Sequence, residues 1–171
     1  MSMSLVDAFK SNGLRASALL ICVVAAATLA GAWIFQAFGI VPCELCLKQR
    51  IAYYGGVPLA AIVAYAASGR TQAIAAAGLV GLAIIFAVNA GLGVYHSGVE
   101  WALWKGPQDC TGALTAAPNV NDFLKDLEHV KVVRCDEVQL RILGLSLANW
   151  NVLISAALAA VAARAALGRN A

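Results

Sequence analysis

Charge is the scarcest property of this sequence. Only 12% of its 171 residues are Asp, Glu, Lys or Arg, whereas 61% are apolar. A soluble domain of this size needs about twice that charged fraction to cover its surface. The composition therefore excludes an ordinary soluble globular protein. The 12 basic residues are scattered among the 9 acidic ones and form no basic stripe, so we expect no nucleic acid as a partner.

Four long apolar runs account for the missing charge. Each approaches the ~20 residues that cross a bilayer, and each must be helical because backbone polar groups in lipid have to pair internally. The first run is too long for the apolar region of a cleaved signal peptide. The predicted fold is an all-α membrane protein, a four-transmembrane-helix bundle forming one domain over 1-171. The expected spans are about 16-38, 47-67, 73-95 and 147-165.

The distribution of basic residues predicts the orientation of the bundle. Four spans place both termini on one side. That side carries five basic residues and one acid, namely Lys10, Arg15, Arg70, Arg164, Arg169 and Asp7. Basic residues in short segments mark the cytoplasmic face, so the termini are expected there. The outer loops then cover about 39-46 and 97-146, and Asn119 can cap a short helix in the longer one.

Four of the five cysteines fall on the outer side: Cys43, Cys46, Cys110 and Cys135. Thiols on an oxidising face are expected to pair, and the sequence alone permits three connectivities. A CxxC at a helix start brings its own sulfurs within bonding reach, which leaves Cys110 with Cys135. Both pairs can still be passive staples, although the short CxxC ring would constrain little chain entropy. Cys22, alone in a span, is interpreted as a small apolar core residue.

Zinc is the other ligand that four cysteines can serve. A structural zinc site combines one CxxC with a second closely spaced pair of ligands. Because Cys110 and Cys135 lie far apart in the sequence, we predict no metal.

The CxxC lies where a polar break turns into an apolar run. Pro42 suits the position before a helix, and the positive end of a helix stabilises a thiolate. Arg50 shares a helix face with Cys46, so it can stabilise that thiolate and donate to a carbonyl oxygen of a bound ring. The alternative for Arg50 is an interfacial anchor. Glu44 is expected to point to water. A dithiol at a membrane surface suggests a lipid-soluble quinone as its oxidant.

These residues resemble the disulfide bond formation protein B (DsbB) family. The likeness rests on the Pro-Cys-x-Leu-Cys-x-x-x-Arg pattern over 42-50, the four spans and the cysteine pair in the second outer loop. Tyr95-His96 at the end of the third apolar run, and the segment 144-151 leading into the last, also match. The resemblance covers nearly the whole chain.

The resemblance implies a bacterial inner-membrane enzyme, a protein-dithiol:quinone oxidoreductase with its redox cysteines in the periplasm. It would reoxidise a periplasmic thioredoxin-fold oxidase of the DsbA type and pass the electrons to ubiquinone or menaquinone. The implied roles are a mixed disulfide with the partner at Cys110, resolution at Cys135, exchange with the loop pair at Cys43 and quinone reduction at Cys46. Arg50 and His96 would line the quinone site.

Two other readings remain open. A quinone reductase of the vitamin K epoxide reductase type also combines a helical bundle with a CxxC. Its loop cysteines precede the CxxC, whereas Cys110 and Cys135 follow it here. The second reading is a structural membrane protein with passive disulfides.

Overall fold

The computed structural model describes residues 5-68, 71-107 and 134-168, without side chains for 5-12. Four helices dominate these ranges. They are α1 (Leu5–Ala37), α2 (Glu44–Ala66), α3 (Gln72–Glu100) and α4 (Leu147–Leu167). The helix predicted in the long loop falls on residues outside the described ranges.

Short connections make α1, α2 and α3 run up and down beside one another. The most extensive packing is between α3 and α4, followed by α1 with α2 and α2 with α3. The start of α2 and the end of α3 therefore meet at one end of the bundle. The start of α4 joins them there, since Ser146 at its N-cap donates a hydrogen bond to Glu100 at the end of α3.

Three of the four helices are long and apolar enough to cross a membrane: Gly13–Ala37, Gln72–Glu100 and Leu147–Leu167. Such a chain is a multi-pass membrane protein. The helix α2 is not among them. Its first two turns carry Glu44, Lys48 and Arg50. The fourth span, the outer loops and the orientation stay predictions.

The core between the helices is built from large apolar side chains and small residues. Phe86, Leu79 and Leu82 of α3 are fully buried, as is Ile21 of α1. Small residues let membrane helices approach closely. A Cβ added at Gly93 would lie 2.8 Å from Cγ2 of Val152, so the α3–α4 contact depends on glycine there.

A two-stranded hairpin precedes α4, which the all-α prediction did not include. Strand β1 (Arg141–Ile142) pairs antiparallel with β2 (Leu145–Ser146). The two turn residues, Leu143 and Gly144, both have positive φ, at 52° and 83°. This is the geometry of tight hairpin turns, and a leucine is uncommon in it. Leu143 is not a typical turn residue, so the sequence over 138-147 did not predict a hairpin.

A polar cluster of Tyr53, Asn89, Asn151 and Ser155 ties three helices together inside the bundle. The Tyr53 hydroxyl donates to Oδ1 of Asn151 at 2.7 Å, and Nδ2 of Asn89 donates to Oγ of Ser155 at 2.9 Å. All four side chains are buried. Paired polar groups of this kind hold membrane helices in register.

Removing one member of this cluster should cost stability. In Tyr53→Phe the Asn151 oxygen loses its shortest hydrogen bond, and we expect the free energy of unfolding to fall by about 1 kcal/mol. Thermal unfolding in detergent measures the change. The exposed Tyr65 gives a matched control, and Tyr65→Phe should leave the unfolding curve in place. Equal stability of both variants would contradict the role of the cluster.

Candidate functional site

The CxxC lies at the N-terminus of α2, as the sequence predicted. Cys43 is the N-cap residue, and its Sγ accepts a hydrogen bond from the backbone N–H of Cys46 at 3.4 Å. The two sulfurs lie 3.1 Å apart. A disulfide requires about 2.05 Å, so the structure holds the pair as a dithiol. Both thiols are close enough for a sulfur–sulfur bond to form with little movement.

The two thiols do not ionise alike. The pKa of Cys43 is lowered to about 4, mainly by a hydrogen bond from the Cys46 thiol and then by His96, against the opposing effect of burial. The pKa of Cys46 is raised, because it shares its proton with Cys43 and is buried beside that sulfur. Arg50 lowers the pKa of Cys46 only weakly. In the dithiol the thiolate therefore forms at Cys43, whereas the sequence analysis had expected it at Cys46.

The lowered pKa of Cys43 predicts an unusual reactivity toward alkylation. Only a thiolate reacts with iodoacetamide, and an ordinary thiol with a pKa of about 8.5 is less than 1% ionised at about pH 6. We expect Cys43 in the reduced protein to react there at close to its maximal rate. Peptide mass mapping of the modified cysteines measures this rate. The lone Cys22 is the internal comparison, and equal slowness at both cysteines would contradict the assignment.

His96 brings the end of α3 against the CxxC. Its Nε2 lies 3.6 Å from Sγ of Cys43, and its Nδ1 lies 3.1 Å from Nε2 of Gln49. Both side chains are buried. The Nε2 atom also lies 3.9 Å from Oε1 of Glu100. His96 therefore contacts Sγ of Cys43 directly.

The structure adds Gln49 and Glu100 to the site, neither of which the sequence analysis singled out. Glu100 falls within the outer loop predicted over about 97-146, but it is the last residue of α3. Its spacing of four from His96 is the signal that was available, since residues four apart share a helix face. Gln49 lies three residues after Cys46 on α2 and gave no comparable signal.

Arg50 reaches across to α1 rather than out to water. One of its guanidinium nitrogens donates to Oε1 of Gln36 at 2.7 Å, and the other donates to the Ala32 carbonyl oxygen at 3.2 Å. The neighbouring Lys48 pairs instead with Glu44 at 3.5 Å, and both of these side chains are about two-fifths exposed. The two cations thus differ: Lys48 lies at the surface beside Glu44, whereas Arg50 is held by α1.

A cavity of about 360 Å³ opens beside these residues. Its polar lining includes both thiols of the CxxC, Gln49, Arg50, His96 and Glu100, and its remaining walls are mostly apolar. Phe35 lines the cavity, as does Trp150, whereas Trp33 lies outside it and donates to the exposed Tyr54.

The cavity suits a quinone ring. An apolar cavity of this size with a few convergent polar groups is typical of small-molecule sites. A quinone presents a flat apolar ring with two carbonyl acceptors, and Arg50 supplies fixed donors on the wall that also holds Cys46. The donor atoms of Cys43, Cys46 and His96 also lie within 4.8 Å of one another.

One member of the second cysteine pair lies next to the first pair. Cys135 is disulfide-bonded and only 2% exposed. It packs in one buried cluster with Cys43, Leu45 and Val99. Cys110 lies outside the described residues. The described part of the predicted long loop around Cys135 therefore packs against the start of α2 and the end of α3.

Comparison with known proteins assigns this site to a family. No curated protein and no solved structure matches the chain. The family model described as "Disulfide bond formation protein DsbB" matches residues 14–165, which include Cys43, Cys46, Cys110 and Cys135, all of α2 and α3 and most of α1 and α4. A match of that extent, over a site with this geometry, shows that the chain belongs to the DsbB family of disulfide-forming membrane oxidoreductases.

Proposed function

We propose that this protein reoxidises a periplasmic thioredoxin-fold dithiol of the DsbA type and passes the electrons to a membrane quinone. It would act in the bacterial inner membrane as a protein-dithiol:quinone oxidoreductase, with cytoplasmic termini and periplasmic cysteines. The observation that carries the proposal is the meeting of three features at one end of the bundle. A buried cysteine of a second disulfide packs with Cys43, and the CxxC opens onto an apolar cavity that also holds Arg50.

Electrons would enter through the loop pair. A thiolate of the partner attacks the Cys110–Cys135 disulfide, and the mixed disulfide forms at Cys110. The sulfur released at Cys135 then attacks Cys43 in the Cys43–Cys46 disulfide, which frees Cys46. The burial of Cys135 in one apolar cluster with Cys43 supports an exchange between these two cysteines.

Electrons would leave through the CxxC. A bound ubiquinone or menaquinone supplies the acceptor, taking up two electrons and two protons. Cys46 lines the cavity and is the thiol that faces such a ring, while Arg50 holds the ring by donating to a carbonyl oxygen. Cys43, 3.1 Å from Cys46, is placed to close the disulfide again.

The reading as passive disulfides predicts none of this arrangement. A purely structural disulfide requires neither a histidine in contact with one of its sulfurs nor a cysteine whose pKa is about 4, as Cys43 has here. Strongly shifted pKa values of this kind cluster at functional sites. The vitamin K epoxide reductase reading is replaced by the family match.

The proposal is tested with the purified protein in detergent. Reduced thioredoxin-fold oxidase and a soluble quinone analogue are added, and quinone reduction is followed by absorbance. We expect catalytic turnover that depends on both substrates. Quinone reduction that ignores the dithiol protein, or no reduction at all by folded protein, would reject the function.

A further inference from the structure

Glu100 is a carboxylate in an unusual place. Its side chain is only 6% exposed, and burying a charge is costly unless a partner compensates it. Within the part of the chain that the structure describes, His96 is the only basic side chain within ion-pair distance of it. The other contact is with Ser146, whose hydroxyl donates to Oε2 at 2.5 Å. The carboxylate is thus held from the hairpin side and directed toward His96.

The Nε2 atom of His96 stands between Glu100 and the reactive sulfur. It lies 3.9 Å from Oε1 of Glu100 and 3.6 Å from Sγ of Cys43. Gln49 fixes the other ring nitrogen at 3.1 Å. A carboxamide offers both a donor and an acceptor. In the structure the amide nitrogen of Gln49 faces Nδ1. With the amide flipped, its oxygen accepts from Nδ1–H, and Nε2 is left as a base that faces both the thiol and the carboxylate.

The proposed reaction requires such a base. Closing the CxxC disulfide removes two electrons and two protons from the thiols, and the proton that Cys43 gives up as it becomes a thiolate needs an acceptor. Resting on the function proposed above, we propose that Glu100 is a positioning residue. Its carboxylate stabilises the imidazolium that forms when Nε2 of His96 takes the proton of the Cys43 thiol.

The proton transfer from Cys43 to His96 balances without any further reactant. The S–H bond of Cys43 breaks, an N–H bond forms at Nε2, and the electron pair stays on sulfur. The Cys43 thiolate bonds to the sulfur of Cys46 only in the oxidation step, in which the S–H bond of Cys46 also breaks. The disulfide forms as the two electrons and two protons pass to the quinone. The arrangement of thiol, imidazole and carboxylate follows the logic of a nucleophile whose base is oriented by a third group.

No other described group can substitute for Glu100. The remaining titratable or charged side chains of the cavity wall are Cys46, Arg50, Tyr53, Arg134 and Glu137, while α1 and α4 contribute none. Arg134 pairs with the exposed Asp136. Glu137 is exposed and has no ion pair with His96 among the described residues. It is therefore a matched control for the loss of one negative charge.

The test uses reduced protein in detergent with neither quinone nor partner present. The rate of Cys43 alkylation by iodoacetamide is measured against pH. In Glu100→Gln the acid limb of this profile should move up by about one pH unit, so the rate on that limb falls about tenfold. Glu100→Asp should recover part of the loss, and Glu137→Gln should match the original protein. In a His96→Ala background, Glu100→Gln should have no further effect.

Three results would overturn the proposal. In the first, the acid limb stays in place in Glu100→Gln. In the second, it moves to lower pH, because the main effect of Glu100 is direct repulsion between its carboxylate and the Cys43 thiolate. In the third, Glu137→Gln moves the limb as far as Glu100→Gln does. Glutamine keeps an oxygen that accepts from Ser146, so Glu100→Gln retains that contact. If Glu100→Gln nevertheless folds poorly, Glu100→Asp tests the same side chain with its charge kept. The alkylation assay contains no quinone. The role proposed for Glu100 can therefore be rejected while quinone turnover by the protein persists, and the failure of this proposal is distinguishable from the failure of the proposed function.

Discussion

Replacing Cys46 by serine is expected to lower quinone-dependent turnover by about a thousandfold or more, since residues that act as a unit fail together. Serine cannot close a disulfide with Cys43, although the two sulfurs are 3.1 Å apart in the original protein. The electrons arriving from the loop pair would then have no path to the cavity. The rate of quinone reduction with a saturating reduced partner measures the effect.

The matched control for this substitution is Cys22→Ser. Cys22 lies within α1, where its thiol donates weakly to the Val57 carbonyl oxygen at 3.7 Å, away from the cavity. Turnover in Cys22→Ser should stay within about twofold of the original, because a lone core cysteine acts as a small apolar residue. Turnover that survives in Cys46→Ser would reject the role assigned to the CxxC.

Replacing Arg50 by glutamine is expected to raise the quinone concentration for half-maximal rate by about 10- to 100-fold. A charged donor to a buried carbonyl is worth about 1.5–3 kcal/mol, and glutamine loses the charge. The guanidinium also ties α2 to α1 through Gln36 and Ala32, so the shape of the cavity depends on it as well. The dependence on the dithiol partner should change little, and kinetics at varied quinone concentration separate the two effects.

Lys48→Gln provides the comparison for Arg50→Gln. It removes one positive charge two residues away, from a side chain that pairs with Glu44 at the surface. If Lys48→Gln weakens quinone use as strongly as Arg50→Gln, the effect is general attraction by positive charge. The role of Arg50 as a donor in the cavity would then be wrong.

The sequence was sufficient for the features that depend on local pattern. Proline before a CxxC and a following apolar run predicted a helix start at Cys43 or Glu44, and α2 begins at Glu44. The resemblance to the DsbB family, based on this segment, is confirmed by the family match. Such features follow from neighbours in the chain, which the sequence displays directly.

Features that depend on tertiary contacts were not predictable in the same way. The thiolate was expected at Cys46 because Arg50 is four residues away on the same helix. Arg50 instead donates to α1, and the fold brings His96 of α3 against Cys43. Glu100 looked like one more loop charge until α3 proved to extend to it. No spacing within one helix reveals which side chains of another helix will meet it.

The central claim is that the two cysteine pairs exchange with each other through Cys43 and Cys135. It is tested most directly in the double variant Cys46→Ser, Cys110→Ser, which leaves these two sulfurs without their own partners. Mild oxidation followed by peptide mass mapping should reveal a Cys43–Cys135 disulfide in most of the protein. The matched variant Cys43→Ser, Cys110→Ser should give far less of a Cys46–Cys135 bond. If Cys43 and Cys135 stay unlinked in folded protein, the relay does not exist.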